Sequence, residues 1–362
     1  MSLTEKIASK IRELTAGNKE LAGLDIGLSA IKLAVVAKDG ENFVLKKYCQ
    51  VSLPEGAIIE DDIQKPEEIT QALVEAANDL EISPLSCTIG ISGPNTVVKK
   101  LQLAGGSDEE VAEQVDWEAE QYLPFEIEES VVAHHKIGEN EGGGVDVIVG
   151  AAKNNVISEF GDIVKSAGGK VKIFDLSIIA VANVFEYVQR EKLKDNDNSF
   201  LVLDFGAQKT FFIIYKSGMI NFTKEINVGG VMITEEIQRQ MGVNYSDAEA
   251  LKITGDENGN LPEEILEISE SIVETFFAEI KKAIDFYVSS TSDESMQECF
   301  VTGGNSLVPG ILEGLEALLG IEVSVLNPFD AISYAEDNFS EEEINQIAYQ
   351  GVQAIGLGMR RE

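Results

Sequence analysis

Apolar stretches on either side of an Asp-x-Gly turn, Leu21–Leu24 and Ala30–Val36, make residues 21–53 read as β-strands. Gly23–Asp25 enters a turn, Ile31–Lys38 leaves it, and Asp39-Gly40 turns the chain into Phe43–Val51. These are three successive strands of a meander, ended by Pro54-Glu55-Gly56. The pattern then changes. Ile69, Leu73, Ala76 and Leu80 fall at helical spacing behind Pro66, a residue suited to a first helical turn, so a helix is predicted over Pro66–Leu80. Thr88–Ser92 reads as a short buried strand closed by Gly93-Pro94.

Residues 95–150 change character. Val97–Leu103 alternates as a strand. Val111, Val115, Ala119 and Tyr122 form one face of a helix over Asp108–Tyr122, and the single tryptophan, Trp117, lies on another. Val131–Ile137 and Val145–Ala151 are strands on either side of Gly142-Gly143-Gly144. The result is a β-α-β-β unit of about 60 residues, enough for a small inserted subdomain. A helix over Asn155–Ala167, a strand over Lys170–Phe174 and a helix over Leu176–Arg190 follow.

Past the polar break Asp195-Asn196-Asp197-Asn198 the opening pattern recurs. Phe200–Asp204, Thr210–Tyr215 and Met219–Ile226 repeat the order strand, Asp-x-Gly turn, strand, Gly turn, strand, an internal repeat at the level of architecture. Helices are predicted over 230–241, 246–254 and 262–290, a strand over Cys299–Thr302, a helix over Ile311–Leu319, a strand over Val323–Leu326 and a terminal helix over Glu342–Leu357. The organisation read from this is an N-terminal helix (1–20), a first domain (21–94 and 151–198, joined by the terminal helix, 341–362), an inserted subdomain (95–150) and a second domain (199–340).

Composition narrows the partners. The 362 residues carry 28 basic and 63 acidic side chains, a net charge of −35, which repels nucleic acid and anionic lipid at long range. A bound polyphosphate must then be held locally, by backbone N–H groups and a divalent cation. Cys49, Cys87 and Cys299 are widely spaced, form neither a CxxC nor a Cys/His cluster, and read as buried small apolar residues in a reducing cytoplasm. His134 and His135 are adjacent on a predicted strand, face opposite ways and do not suit a shared metal. The acidic runs Glu126-Ile127-Glu128-Glu129 and Glu341-Glu342-Glu343 read as solvated or helix-capping faces. No apolar run reaches the roughly 20 residues of a membrane span. In the first 20 residues Leu3, Ile7, Ile11 and Leu14 make a thin helical stripe, diluted by Glu5, Glu13 and Glu20. It fits a helix docked on protein better than one lying on a membrane.

The candidate chemistry sits on the repeat. Asp25 and Asp204 each follow an apolar strand and precede x-Gly, which places a carboxylate beside backbone N–H groups that glycine lets a ligand approach. Such carboxylates suit Mg²⁺ bound near phosphates. Ser29 and Lys32 follow the first turn, and Gln208, Lys209 and Thr210 the second, as further candidates for phosphate oxygens. In Phe300-Val301-Thr302-Gly303-Gly304-Asn305 a buried strand runs into a double glycine that lets backbone approach a flat or phosphorylated ligand.

Asp-x-Gly, Asp-x-Gly-x-x-x-Thr and Thr-Gly-Gly at these separations resemble the two phosphate motifs and the adenosine motif of the actin-like ATPase superfamily. The closer resemblance is to the PilM family of type IV pilus assembly proteins, a sister of FtsA. It is carried by Gly23-Leu24-Asp25-Ile26-Gly27 with Ile31-Lys32-Leu33, by Trp117-Glu118-Ala119-Glu120-Gln121-Tyr122-Leu123-Pro124-Phe125, by Val228-Gly229-Gly230, by Ser246-Asp247-Ala248-Glu249-Ala250-Leu251-Lys252 and by Asn327-Pro328-Phe329. The resemblance implies an α/β, duplicated actin-like (ribonuclease H-like) two-domain ATPase fold with a small inserted subdomain and ATP and Mg²⁺ in a central cleft. It implies Asp25 and Asp204 near the metal, and Gly27, Ser29, Gly206 and Thr210 along the phosphates. Gly229, Gly230 and Thr234 would lie by the ribose, and Gly303, Gly304 and Asn305 over adenine and the α-phosphate. Asp175 would stand near the attacking water. The sequence departs from the usual second phosphate motif at Ala207-Gln208-Lys209, and Asp175 is a short acid for that post, so hydrolysis stays open.

By resemblance the function is that of a cytoplasmic adaptor of the pilus machine, peripheral at the inner membrane through its partners. It docks the tail of a PilN-like inner-membrane protein in a groove between the first subdomain and the inserted one. Other pilus assembly proteins and a further copy of the chain are possible partners. Related platforms of type II secretion and DNA uptake fit the same residues. An FtsA-like filament scaffold would carry a C-terminal amphipathic helix after a linker, and the sequence ends directly after its last predicted helix. A small-molecule kinase of the superfamily needs a catalytic base and substrate-binding groups for which no constellation is found.

Overall fold

The computed structural model describes residues 21–140, 142–254 and 261–361. The helix expected over 1–20 lies outside them. In chain order the strands are β1 (Ala22–Ile26), β2 (Ala30–Asp39), β3 (Asn42–Ser52), β4 (Ile58–Ile59), β5 (Asp62–Ile63), β6 (Ser86–Ile91), β7 (Thr96–Leu103) and β8 (Ser130–Glu139). Then come β9 (Val145–Lys153), β10 (Lys170–Leu176), β11 (Ser199–Phe205), β12 (Thr210–Lys216), β13 (Met219–Ile226), β14 (Met296–Thr302), β15 (Glu322–Val325) and β16 (Ser333–Tyr334).

The internal repeat is one of topology. The first sheet runs β10-β6-β1-β2-β3-β16 and the second β13-β12-β11-β14-β15. In each, an antiparallel meander supplies three neighbouring strands, and two later strands add in parallel beside the first strand of the meander. The parallel additions need crossovers, and helices Pro66–Asp79, Asn154–Ser166 and Ile311–Leu319 lie in them. The inserted unit is a separate β7-β9-β8 sheet covered by the helix Asp108–Tyr122. Val111 and Val115 bury against Leu101, Leu103, Val147 and Val149, and Trp117 is 63% exposed.

Strand alternation sets where the cores lie. Phe200, Val202, Phe211, Ile213 and Tyr215 point into the core shared with the first domain, where Phe185 meets Phe200, Tyr215 and Phe300. Leu201, Leu203, Phe212 and Ile214 point the other way, under the long helix Glu263–Thr291. The central strands β11 and β12 are therefore buried on both faces, which is why they read as continuous apolar runs.

Three expectations shift. The terminal helix is two, Glu341–Gln350 and Val352–Gly358, interrupted at Gly351, where a side chain would meet Ile347 at 2.6 Å and Tyr48 at 3.3 Å. Cys87 and Cys299 are buried, but Cys49 is only half-buried, its thiol 3.8 Å from the Asp79 carboxylate. And β16 lies inside the stretch read as the second domain, yet its backbone pairs with β3 of the first sheet, so the chain re-enters that sheet before residue 340. The Glu341-Glu342-Glu343 run forms the first turn of its helix behind a Ser340–Glu343 capping box.

Candidate functional site

The two Asp-x-Gly turns are the same hairpin twice. In the first, Gly27 N–H donates to the Ala30 carbonyl at 3.0 Å; in the second, Gly206 N–H donates to the Lys209 carbonyl at 2.9 Å. Between those bonds the N–H groups of Leu28 and Ser29, and of Ala207 and Gln208, donate to no backbone or side chain among the described residues. Two short rows of open N–H groups on matched turns are what an anionic ligand needs.

The carboxylates differ. Asp25 stands opposite Lys32 in the β1–β2 register. Its Oδ2 is 3.0 Å from the Lys32 Nζ, and its Oδ1 accepts a 2.6 Å hydrogen bond from Gln353 Nε2, which also reaches Ser177 Oγ at 3.1 Å. Asp204 stands opposite Phe211, a core residue. Burial pushes its carboxyl up to about 7; the Lys32 ammonium pulls it down and the Asp25 carboxylate pushes it up. Asp25, Lys32 and Asp204 are thus brought within electrostatic reach of one another, with Lys32 between two acids. This set would accept a divalent cation, since added positive charge relieves the half-buried Asp204 carboxylate.

Glycines close the second side. Gly230 N–H donates to the Gly206 carbonyl at 3.2 Å and Val231 N–H to the Ala207 carbonyl at 2.8 Å, while Asn305 Nδ2 donates to Gly206 O at 2.9 Å. A Cβ on Gly229 would lie 2.5 Å from the Ala207 carbonyl oxygen, and one on Gly230 only 1.9 Å from Asn305 Oδ1. Gly303, at φ +89°, packs so close that a Cβ would come 2.4 Å from Asp204 Oδ1. Gly304 packs beside Gln350. The turn at 206–209, the Gly229-Gly230 pair and Gly303-Gly304-Asn305 form one bonded cradle.

Other expected residues stand differently. Thr210 is buried and donates its hydroxyl to the Val228 carbonyl at 2.9 Å, and Ser29 is exposed. Gln208 lines a cavity of about 810 Å³ rather than the cradle alone. The Lys209 ammonium meets Asp61 at 2.5 Å and Glu225 at 3.0 Å. Asp175 is buried; its Oδ2 is 2.8 Å from Arg360 Nε and its Oδ1 accepts the Leu176 N–H at 2.9 Å. Burial pushes the Asp175 carboxyl up, against Arg360 and that N–H.

Sequence reading missed three side chains at this site. Gln353 was hidden inside a stretch read as one uninterrupted helix. Glu249 and Lys252 meet Thr234: its hydroxyl donates to Glu249 Oε2 at 2.5 Å and accepts from Lys252 Nζ at 2.9 Å, and Lys252 also reaches the Gly230 carbonyl at 3.3 Å. Burial pulls the Lys252 ammonium down, against Glu249. The i, i+3 spacing of Glu249 and Lys252 was the available signal.

Comparison with known proteins gives a consistent picture. A family model for "Type IV pilus assembly protein PilM" matches residues 23–362. The cell division protein FtsA of Enterococcus hirae is 24% identical over 157 residues, 38% of this chain and 36% of that protein, so the match spans about a third of that relative's length. Among solved structures, the PilM-PilN type IV pilus biogenesis complex superposes with a TM-score of 0.82 at 24% identity, covering 95% of this chain and 98% of that one. The ethanolamine utilization protein EutJ from Carboxydothermus hydrogenoformans follows at 0.54 and 16%, covering 99% of both chains. The fold is the duplicated actin-like α/β ATPase fold with a small inserted subdomain.

Proposed function

The chain belongs to the type IV pilus assembly protein PilM family, and from that premise we propose that it is a cytoplasmic, ATP-binding adaptor that docks the tail of a PilN-like inner-membrane protein. The observation that carries the nucleotide half is the pair of matched hairpins, with their open N–H groups and the two aspartates that lead into them. Asp25 and Asp204 take the metal side, with Lys32 between them. Gly27, Ser29, Gly206 and Gln208 take the phosphates, and Thr210, whose hydroxyl is held by the Val228 carbonyl, shapes the turn. Gly229, Gly230 and Thr234, with Glu249 and Lys252, take the ribose; Gly303, Gly304 and Asn305 cover the base. Bound Mg²⁺ would supply the positive charge that a chain of net charge −35 lacks at a polyphosphate.

The docking half is supported by the cavity of about 810 Å³ between the first domain, the inserted unit and β13. Ile91, Val97, Leu176, Ile178 and Met232 give it apolar walls, and Glu60, Asp61 and Glu225, against the single Lys224, a net acidic lining. That lining suits an extended tail that buries apolar side chains beside a basic one. Among the described residues no helix is long and apolar enough to cross a membrane, and the partner would bring the protein to one. Nucleotide here orders the cleft. Asp175, the acid expected near an attacking water, is held by Arg360.

The test is to titrate Mg-ATP and a synthetic tail peptide of the cognate PilN-like protein on the same protein while following turnover. Binding of both with little turnover supports the adaptor. Rapid turnover without peptide binding overturns it.

A further inference from the structure

Lys209 is the last residue of the second Asp-x-Gly turn, and its carbonyl closes that turn on Gly206 N–H. Its side chain, 11% exposed, leaves the cleft for a cluster shared by three parts of the molecule. Asp61 Oδ1, 2.5 Å away, comes from the tip of the β4–β5 hairpin of the first domain. Glu225 Oε2, 3.0 Å away, comes from β13 of the second. Both Glu225 oxygens also accept the Gly93 N–H, at 3.2 and 3.0 Å, where the chain enters the inserted unit.

Two further features mark the cluster. Glu60 and Asp61 have φ of +49° and +70°, left-handed values that residues with side chains rarely adopt, and this conformation holds Asp61 beside Lys209. Gly93 has φ +109°, and a Cβ there would come 2.9 Å from the Asp61 carboxyl carbon, so the contact needs glycine. Asp61, Gly93 and Glu225 line the 810 Å³ cavity, as does Gln208, the residue before Lys209.

We propose that Asp61, Lys209 and Glu225 form an inter-domain latch that positions the second phosphate turn and couples it to the docking cavity. Lys209 acts through the turn and does not touch the nucleotide. An occupant that presents a basic group to Asp61 and Glu225 competes with Lys209, and a nucleotide that fixes the turn holds Lys209 in place. Ligands on the two sides of the latch are then linked, each changing the other's affinity by the same factor. The coupling arm rests on the docking reading above; the nucleotide arm does not.

The experiment compares Asp61→Asn and Lys209→Met in the full chain, with folding checked by thermal melting. If the latch holds the turn, both variants weaken Mg-ATP binding by a similar factor, about five- to tenfold, the double variant is no worse than either, and adenosine binding is unchanged. Lys209→Arg keeps most of the affinity. If Lys209 were instead a phosphate ligand, Asp61→Asn would free it and tighten Mg-ATP while Lys209→Met weakened it, and that opposite pair of signs overturns the latch. In the second arm the tail peptide is titrated with and without Mg-ATP. The wild type binds the peptide more weakly when Mg-ATP is present, and both variants bring that factor to one; tighter binding with Mg-ATP, or a factor retained in both variants, overturns the coupling. A peptide that binds no form of the protein refutes the docking reading and with it the coupling, while the nucleotide arm still decides whether the latch positions the turn.

Discussion

The two Asp-x-Gly hairpins share a backbone pattern and differ in the residue that faces the aspartate. Opposite Asp25 the first has Lys32; opposite Asp204 the second has Phe211. The first aspartate is neutralised at 3.0 Å and further held by Gln353. The second is pressed against a core, and burial pushes it up to about 7. A duplicated turn can thus be divided in its labour by the residue facing its acid. The first hairpin is preorganised, and the second carries a half-buried acid, pushed up by desolvation, that a cation beside it would relieve.

Exchange of each acid for its amide tests this most severely, because the two should respond with opposite signs in stability. Asp204→Asn should weaken Mg-ATP by about a hundredfold, roughly 3 kcal/mol, while raising the melting temperature of the nucleotide-free protein at pH 8, since a buried charge is removed. Asp25→Asn should lower that melting temperature, because it strips the partly buried Lys32 of its partner, a loss on the order of 1–3 kcal/mol. Calorimetric titration and thermal melting read both.

A smaller effect is expected in pH dependence. An unfolded aspartate titrates near about 3.9, and the folded Asp204 near 7. Between those values the folded state holds a proton that the unfolded state has lost. The stability of the nucleotide-free protein should therefore fall as pH rises from about 4 to about 7 and level off above. Asp204→Asn should remove that part of the slope; an unchanged profile would show that Asp204 titrates normally.

The smallest effect should come from Gln353→Ala, which deletes one hydrogen bond to Asp25 and leaves Lys32 in place. A loss of about 1 kcal/mol in stability and a few-fold weaker Mg-ATP binding are expected. A loss as large as that of Asp25→Asn would mean that Gln353, not Lys32, holds the first hairpin.

What could be read from the chain followed the range of the forces. The hairpins, the meanders and the helix of the inserted unit are written in local period and turn residues, so the strands at Asp25 and Asp204 fell where expected. Gly303 was legible in the double glycine that follows its strand, whereas Gly229 and Gly230 were placed by resemblance, and their close approach to Ala207 and Asn305 is seen only in the structure. Asp61 was not: it sits in a hairpin of two-residue strands too short to show a period, and its partner Lys209 is 148 residues away. Gln353 depended on the interruption at Gly351, which hydrophobic spacing does not register. Lys209 was expected at phosphate because charge near a turn says nothing of which way a long side chain leaves it. Asp175 was placed by resemblance alone, and its partner Arg360 lies at the other end of the chain.

The central claim is that the facing hairpins hold Mg-ATP with Asp204 on the metal side. Calorimetric titration of ATP into wild type and Asp204→Asn, each with and without Mg²⁺, tests it most directly. One site is expected in the wild type, strengthened by Mg²⁺, and in Asp204→Asn that strengthening is gone. Mg²⁺-dependent binding of equal strength in both proteins would contradict it.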